Sequence, residues 1–366
     1  MSKIIFRYVV RTYLILLFSI LAGLLAIFLV ADFVDRAKAY TGPNWVADVT
    51  VLYGYKALLA IQQLGPAALM LAAGATVALL RRRGEVTALG SLAFGTDAIY
   101  LPAGLCAAVA CVLLIGFDES VVVKAGPRVD EITTQRFNRW GDWRMYFVPK
   151  HWFRRNDRVF YLRAGDVDRG FDEVTILRLT PEFHLAERID AERMTYLEGT
   201  RWLLTGVSDR TFGEDGSARL DRFQQAAYEL GARGDDFRVR IGRPEQMRVG
   251  QLRQQIRIRE RVGLPTGQFR LAMHNRFAYP LAALPAALLA VGLALRPGRK
   301  GHLTSALVEG LAIAIALWAT MVICRTLVLA ERLSPPVAAW APVAMLVLAS
   351  LIVYGRREGR WKLHHR

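Results

Sequence analysis

Residues 13–31 form the sequence YLILLFSILAGLLAIFLVA, a run without any charged side chain. The hydrocarbon core of a bilayer is about 30 Å thick, so a helix needs ~20 mostly apolar residues to cross it. A soluble helix would place polar residues along one face of the run instead. The run therefore predicts a membrane-spanning helix. The residues after it, Asp32-Phe33-Val34-Asp35, lack a small-x-small cleavage pattern, so we expect the helix to be retained.

Five further apolar runs are long enough to span a membrane. They are Ala57–Leu80, Ala98–Phe117, Phe277–Leu295, Leu303–Cys324 and Leu333–Tyr354. With Tyr13–Ala31 they predict an α-helical membrane protein with six transmembrane helices, three on each side of a large polar segment. Only Leu303–Cys324 contains a charge, Glu309. Intramembrane ionisable residues are costly and often functional, which makes Glu309 a candidate polar site. The alternative is that Glu309, near the start of its helix, reaches the aqueous interface.

The formal net charge of +16 is concentrated beside the predicted spans. The basic residues lie at the N-terminus (Lys3, Arg7, Arg11), after the second span (Arg81, Arg82, Arg83), after the fourth (Arg296, Arg299, Lys300) and in the tail (Arg356, Arg357, Arg360, Lys362, Arg366). Short cytoplasmic loops are rich in Lys and Arg. This pattern predicts that both termini are cytoplasmic and that the polar segment faces outward. It argues against binding of nucleic acid, which a basic soluble protein would suggest.

The polar segment, Asp118–Arg276, contains no long apolar run. Alternating residues at Arg158–Arg163, Glu173–Leu179 and Arg201–Val207, separated by turn signals, predict short strands of a β-sandwich or partial barrel. We expect Val121–Trp140 to be a helical extension of the third span. The stretch from Pro244 is amphipathic and basic, which is typical of a solvated connector helix or of a surface that contacts lipid headgroups. The predicted domains are residues 1–117, 118–270 and 271–366.

No motif for nucleotide binding or catalysis is present. A Walker A loop requires G-x-x-x-x-G-K-[ST], and the sequence Gly298-Arg299-Lys300-Gly301 lacks that spacing. The three cysteines, Cys106, Cys111 and Cys324, fall within predicted spans, where we expect them to pack between helices. We therefore expect this chain to bind no cofactor or metal, and we do not expect it to be an enzyme.

Residues 81–95, RRRGEVTALGSLAFG, predict a short helix between the second and third spans. Val86, Leu89 and Phe94 would form its apolar side. One interpretation is that this helix docks into a groove on a cytosolic partner. The other is that it lies on the membrane surface.

The layout and four motifs together resemble the LptF/LptG family of lipopolysaccharide-export permeases. The segment around Phe33-Val34-Asp35 is similar to LptG-type members, and Arg83-Gly84-Glu85 matches the coupling helix of the family. Arg188–Glu192 preceding Trp202–Leu204 is similar to a strand pair of its periplasmic β-jellyroll domain. Asn275–Leu281 is similar to its entry to the fourth span. The resemblance covers nearly the whole chain and favours the LptG type.

The resemblance implies a set of partners and roles. An LptG-type subunit pairs with an LptF-type permease in the bacterial inner membrane, above an LptB-type ATPase dimer that uses ATP and Mg. Lipopolysaccharide would pass from the two permeases to LptC and LptA toward the outer membrane. Glu85, with Arg83, Val86 and Leu89, would couple to the ATPase. Arg36 and Lys38 would contact lipid phosphates, although Asp32 occupies a position where LptG-type members can have a basic residue.

A different function is compatible with the same layout. A membrane-anchored envelope assembly factor would bind periplasmic partners through the β domain without moving lipid. Depletion would separate the two functions, because only an exporter predicts accumulation of lipopolysaccharide in the inner membrane.

Overall fold

The computed structural model describes residues 3–137, 151–155, 157–167, 169–182, 184–213, 217–237, 243–261, 264–296 and 302–364. The chain divides into two compact units. The helical unit contains Met1–Arg139 and Arg270–Arg366, and the β unit contains Trp140–Phe269. The predicted inserted domain began at Asp118 and so included the extension of the third span. In the structure this extension belongs to the helical unit.

The helices were numbered in chain order. They are α1 (Lys3–Arg36), α2 (Trp45–Arg82), α3 (Glu85–Ser91), α4 (Asp97–Phe117), α5 (Val123–Arg136), α6 (Val249–Arg261), α7 (Gly267–Leu281), α8 (Ala283–Ala294), α9 (Leu303–Leu329) and α10 (Pro335–His364). A π-helical turn, Asp118–Val122, joins α4 to α5. The predicted extension beyond the third span is therefore present as far as Arg136.

Six helical segments among the described residues are long and apolar enough to cross a membrane. They are Lys3–Ala39, Trp45–Arg82, Asp97–Thr133, Gly267–Ala294, Leu303–Leu329 and Pro335–Arg356. The six predicted spans, three on each side of the β unit, are confirmed. Most of the helices continue past the predicted apolar run into the flanking polar residues.

Small side chains bring the helices of the helical unit close together. Ala72 and Ala73 of α2, Ala103 and Ala107 of α4 and Ala287 of α8 are fully buried in one core. Apolar helices gain no hydrophobic free energy by meeting each other in lipid, so close van der Waals contact drives their association. At Gly292 an added Cβ would lie 2.6 Å from Val353 Cγ1 and 2.8 Å from Tyr100 Oη. The contact between α8 and α10 thus requires a residue without a side chain.

The β unit contains one antiparallel sheet of six strands among the described residues. They are β1 (His151–Arg155), β2 (Arg158–Asp166), β3 (Gly170–Leu179), β4 (Leu185–Glu198), β5 (Arg201–Phe212) and β6 (Ala218–Glu229). Each strand pairs with the next one along the chain. The predicted inserted β domain is confirmed, and the structure shows that its described strands are antiparallel and follow one another in sequential order. The predicted strand pair is also present, since β4 and β5 are neighbours in which Met194 pairs with Leu204.

One face of the sheet holds the core of the β unit. Trp202 is fully buried, and its indole Nε1 donates a hydrogen bond to the carbonyl of Ala232 at 2.8 Å. Phe237 packs edge-on against the same ring, with centroids 4.7 Å apart. The alternation of buried and exposed residues along β5 is typical of an antiparallel sheet with one solvated face. Gly206 interrupts this alternation at φ +66°, a left-handed conformation that favours glycine.

Gly292→Ala tests the close contact between α8 and α10. We expect it to destabilise the purified protein by about 1–3 kcal/mol, because the new methyl group overpacks against Val353 and Tyr100. The measurement is thermal unfolding in detergent. The control is Gly23→Ala, since an added Cβ at Gly23 meets nothing within 4 Å. Equal stabilities of the two variants would contradict this account of the packing.

Asp209 of β5 gives a prediction for the β unit. Burial raises the pKa of its carboxyl, and the nearby Glu187 and Asp221 add to the effect, against a hydrogen bond from the Tyr228 hydroxyl at 3.0 Å. The folded state therefore binds the Asp209 proton more tightly than the unfolded state does. The stability that this protonation contributes is lost as the pH rises through the raised pKa.

We expect Asp209→Asn to stabilise the protein by about 0.5 kcal/mol at neutral pH, since the amide is neutral and still accepts from Tyr228. The gain over the wild type should shrink as the pH is lowered toward the carboxyl range. Unfolding curves at a series of pH values measure this. The exposed Asp172→Asn is the control, and a gain that grows at low pH would contradict the assignment.

Candidate functional site

The coupling segment, residues 81–95, connects α2 to α4 and contains the short helix α3. The chain turns at Gly84, whose φ of 76° is left-handed and is strained for residues with a side chain. Because Gly84 is the N-cap, Glu85 becomes the first residue of α3. The motif Arg83-Gly84-Glu85 is therefore a turn that sets the direction of α3 and the position of the Glu85 carboxylate.

The Glu85 carboxylate is held by a contact from α1. Its Oε1 accepts a hydrogen bond from the Tyr8 hydroxyl at 2.8 Å. Arg83 Nη1 donates to the same hydroxyl at 3.0 Å and lies 4.0 Å from Oε1. The other oxygen, Oε2, is buried and has no hydrogen-bond partner among the described residues. An unsatisfied buried acceptor is costly.

Val86 and Leu89, two of the three residues of the predicted apolar side, contact the helical unit itself. Both are partly buried against the main core, whose members include Val9 and Leu80. The third, Phe94, lies beyond the end of α3 at Ser91. Val86 and Leu89 attach the segment to its own helices, and their part in coupling stays a prediction. The outer side presents Thr87, Ala88, Ser91 and Leu92, all exposed, and Leu92 is 68% exposed. The sequence pattern did not single out Leu92, which the structure places as an exposed leucine at the end of this face of small residues.

Contacts with other helices fix both ends of the coupling segment. Arg81 donates to the carbonyl of Arg296 at 2.7 Å and to that of Leu295 at 3.0 Å, which satisfies carbonyls at the end of α8. After the segment, Asp97 accepts a hydrogen bond from the Tyr354 hydroxyl of α10 at 3.1 Å. The two ends of the segment are therefore bonded to residues at the end of α8 and to α10.

A second polar site, the Asp32 cluster, consists of Asp32, Arg36, Tyr40, Tyr53 and Lys56. The Asp32 carboxylate contacts Lys56 Nζ at 2.5 Å, Arg36 Nε at 2.9 Å and the Tyr53 hydroxyl at 2.9 Å. Tyr53 and Tyr40 share a hydrogen bond of 3.1 Å, and the Lys56 ammonium lies 4.6 Å from the centre of the Tyr53 ring. Two cations share one carboxylate, so the cluster has a formal charge of +1.

The Asp32 cluster changes the interpretation of the predicted phosphate contacts. Arg36 lies at the end of α1 and is engaged by Asp32. Lys38 is exposed and has no ion pair among the described residues. Asp32 is the partner of Lys56 on α2, which explains why an acidic residue is stable at this position. Sequence analysis missed Lys56 and the two tyrosines, because only the packing of α1 on α2 brings them to Asp32.

A buried ion pair joins α7 to the π-helical turn. Arg276 Nη1 lies 2.8 Å from Asp118 Oδ2 and 3.8 Å from Glu119 Oε2, and the Arg276 and Asp118 side chains are almost completely buried. π-helical turns are often found at functional sites. The pair connects the helix that precedes the β unit in sequence to the helix that follows it. Sequence analysis identified Arg276 only as part of a motif.

Glu309 lies in the second turn of α9 and is partly buried. It borders a small apolar depression formed with Ala290, Ala306 and Ile313. This places it near a helix end, and its role as a polar site stays a prediction. No group of three or more His, Cys, Asp or Glu side chains that could hold a metal ion lies among the described residues.

These features define a multi-pass membrane protein with an inserted β unit and a braced segment between its second and third spans. Residues 7–356 match the family model described as "Lipopolysaccharide export system permease LptF/LptG". The match includes nearly the whole chain, and the chain therefore belongs to the LptF/LptG family of lipopolysaccharide export permeases, which are multi-pass inner-membrane proteins. Comparison with curated proteins gave no match.

Asp32→Ala tests the Asp32 cluster. Lys56 is only 11% exposed, so loss of Asp32 leaves a largely buried cation without its partner. We expect a destabilisation of about 3 kcal/mol, measured by thermal unfolding in detergent. Arg36 is 43% exposed, so Arg36→Ala should cost less than about 1 kcal/mol. If the two variants were equally stable, Asp32 would not be the centre of this cluster.

Proposed function

We propose that this chain is the LptG-type permease subunit of an ATP-driven exporter that extracts lipopolysaccharide from the inner membrane and passes it to a periplasmic bridge. The observation on which the proposal rests is the Glu85 carboxylate, which is fixed at the start of α3 with one oxygen bound and the other buried and unpaired. The chain lacks a Walker motif, so ATP and Mg would be used by a partner. The Phe33-Val34-Asp35 motif supports the LptG type over the LptF type.

An LptB-type ATPase dimer is the partner that fits the coupling segment. Thr87, Ala88 and Ser91 form a small-residue face that a groove accommodates closely, and Leu92 provides an exposed apolar anchor. The Glu85 side chain is 32% exposed, so a basic or N–H donor of the ATPase would approach its carboxylate and form a charge-assisted hydrogen bond. Motion of the ATPase would then reach α8 through Arg81 and α10 through Asp97 and Tyr354.

The proposed orientation follows from the basic residues next to the spans. Arg7, Arg11, Arg82 and Arg83 lie at the ends of α1 and α2 that contact the coupling segment, and the positive-inside tendency favours the cytoplasm for this end. The loop residues Arg299 and Lys300 and the tail residue Arg366 lie outside the described residues. This orientation makes both termini cytoplasmic and the β unit periplasmic, where it would deliver lipid to LptC-type and LptA-type proteins.

A paralogous LptF-type permease would cover the exposed apolar faces of this chain. α1 exposes Phe18, Ile27 and Val30, and α9 exposes Ile315, Trp318 and Ile323. Two such subunits would enclose an apolar cavity for the acyl chains between them. The +1 charge of the Asp32 cluster, with exposed Lys38 beside it, would attract the phosphates of lipid A at the outer leaflet.

Glu85→Arg tests the coupling role. In a co-purified complex with the ATPase, we expect lipid-coupled ATP hydrolysis to fall tenfold or more, because a charge-assisted hydrogen bond is worth roughly 1.5–3 kcal/mol. The control is Glu198→Arg, the same charge reversal at a β-hairpin position that is 77% exposed. Wild-type coupling in the Glu85→Arg complex would refute the proposed mechanism.

Depletion tests the transport function. Loss of this chain should cause lipopolysaccharide to accumulate in the inner membrane, as measured by membrane fractionation. An assembly factor that acts only through the β unit would leave lipopolysaccharide distribution unchanged at early times, and that outcome would favour the alternative function.

A further inference from the structure

We propose that Tyr8 is the positioning residue for Glu85, and that through Tyr8 the first helix is attached directly to the coupling carboxylate. The inference rests on the proposed function, because it concerns how the coupling site transmits force. Its starting point is the pair of hydrogen bonds at the Tyr8 hydroxyl, which joins residues that are 77 positions apart in the chain.

The Tyr8 hydroxyl uses both its donor and its acceptor capacity in this site. It donates to Glu85 Oε1 at 2.8 Å and accepts from Arg83 Nη1 at 3.0 Å. Arg83 itself is 4.0 Å from Oε1, so its direct contact with the carboxylate is weak. The orientation of the carboxylate is therefore set by Tyr8, with Arg83 fixing the direction of the hydroxyl.

The position of Tyr8 is in turn fixed by its neighbours on α1. Val9 is fully buried in the main core, where Val86 and Leu89 of α3 also pack. Further along α1, the buried Tyr13 hydroxyl donates to the carbonyl of Leu69 on α2 at 2.9 Å. The cytoplasmic end of α1 is thus held on both α2 and α3. Displacement of Glu85 would act on α1 both through the Tyr8 hydrogen bond and through the apolar packing of Val9.

The same helix reaches the Asp32 cluster. α1 is continuous from Lys3 to Arg36 and contains no proline. At 1.5 Å per residue it is about 50 Å long, so its two ends belong to opposite sides of a bilayer. Tyr8 near one end contacts Glu85, and Asp32 and Arg36 near the other end contact each other and Lys56. α1 therefore provides a single rigid element between the coupling carboxylate and the candidate phosphate site.

Tyr8→Phe tests this role because it removes one hydroxyl and keeps the aromatic ring. The variant complex with its ATPase is reconstituted in lipid nanodiscs that contain lipopolysaccharide, and the number of lipids released per ATP hydrolysed is measured. We expect this ratio to fall on the order of tenfold, as for loss of a hydrogen bond to a charged group. The variant should still fold and assemble with the ATPase, since the lost hydroxyl lies at an exposed site and the ring is kept. The matched control is Tyr55→Phe, since the Tyr55 hydroxyl has no hydrogen bond among the described residues.

A double-mutant cycle with Glu85→Gln separates positioning from a general structural effect. If Tyr8 acts through Glu85, the double variant should lose no more coupling than Glu85→Gln alone. The inference would be overturned if the loss of coupling in the double variant equalled the product of the two single losses. It would also be overturned if Tyr8→Phe kept wild-type coupling while Glu85→Gln was impaired. In that last case the proposed function would stand. If no ATPase associated with the wild-type chain at all, the proposed function itself would fail, and with it the inference.

Discussion

A charged side chain that is buried between helices must be paired within the protein, because an isolated buried charge is very costly. The ion pair between Asp32 and Lys56 fixes α1 to α2, and the pair between Asp118 and Arg276 fixes the third span to the fourth. These two pairs hold together the helices on which the rest of the helical unit packs. Between them, alanines and glycines allow close contact, so the helices are joined by polar pairs near their ends and by van der Waals packing in the middle.

This arrangement makes the coupling segment a stiff element. Its apolar residues Val86 and Leu89 pack inward, and Arg81 and Asp97 bind neighbouring helices at its two ends. A loop without these contacts would absorb a displacement by changing its own conformation. Because the segment is bonded at both ends, α3 is less free to move independently of its neighbouring helices.

The β unit obeys a different constraint. Its described strands form one sheet in chain order, and its core contains the buried Trp202, with Phe171 and Phe237 around it. The sheet also carries exposed cross-strand pairs of arginine and carboxylate side chains, such as Arg193 with Asp172. Exposed pairs of this kind contribute little stability, so the buried aromatic cluster dominates the energetics of this unit.

The sequence by itself determined the six spans, the inserted β unit and the family. Long charge-free runs and strict alternation are local patterns, and each follows directly from the thickness of a bilayer or the pleat of a strand. The motif Arg83-Gly84-Glu85 also pointed to Glu85, whose coupling role stays a prediction. Only the tertiary structure decided that Val86 and Leu89 face inward, that Arg36 is engaged by Asp32, and that Tyr8, Lys56 and Asp118 belong to the polar sites. Those contacts join residues far apart in the chain, and side-chain pairing across helices depends on helix rotation and packing, which a local pattern does not specify.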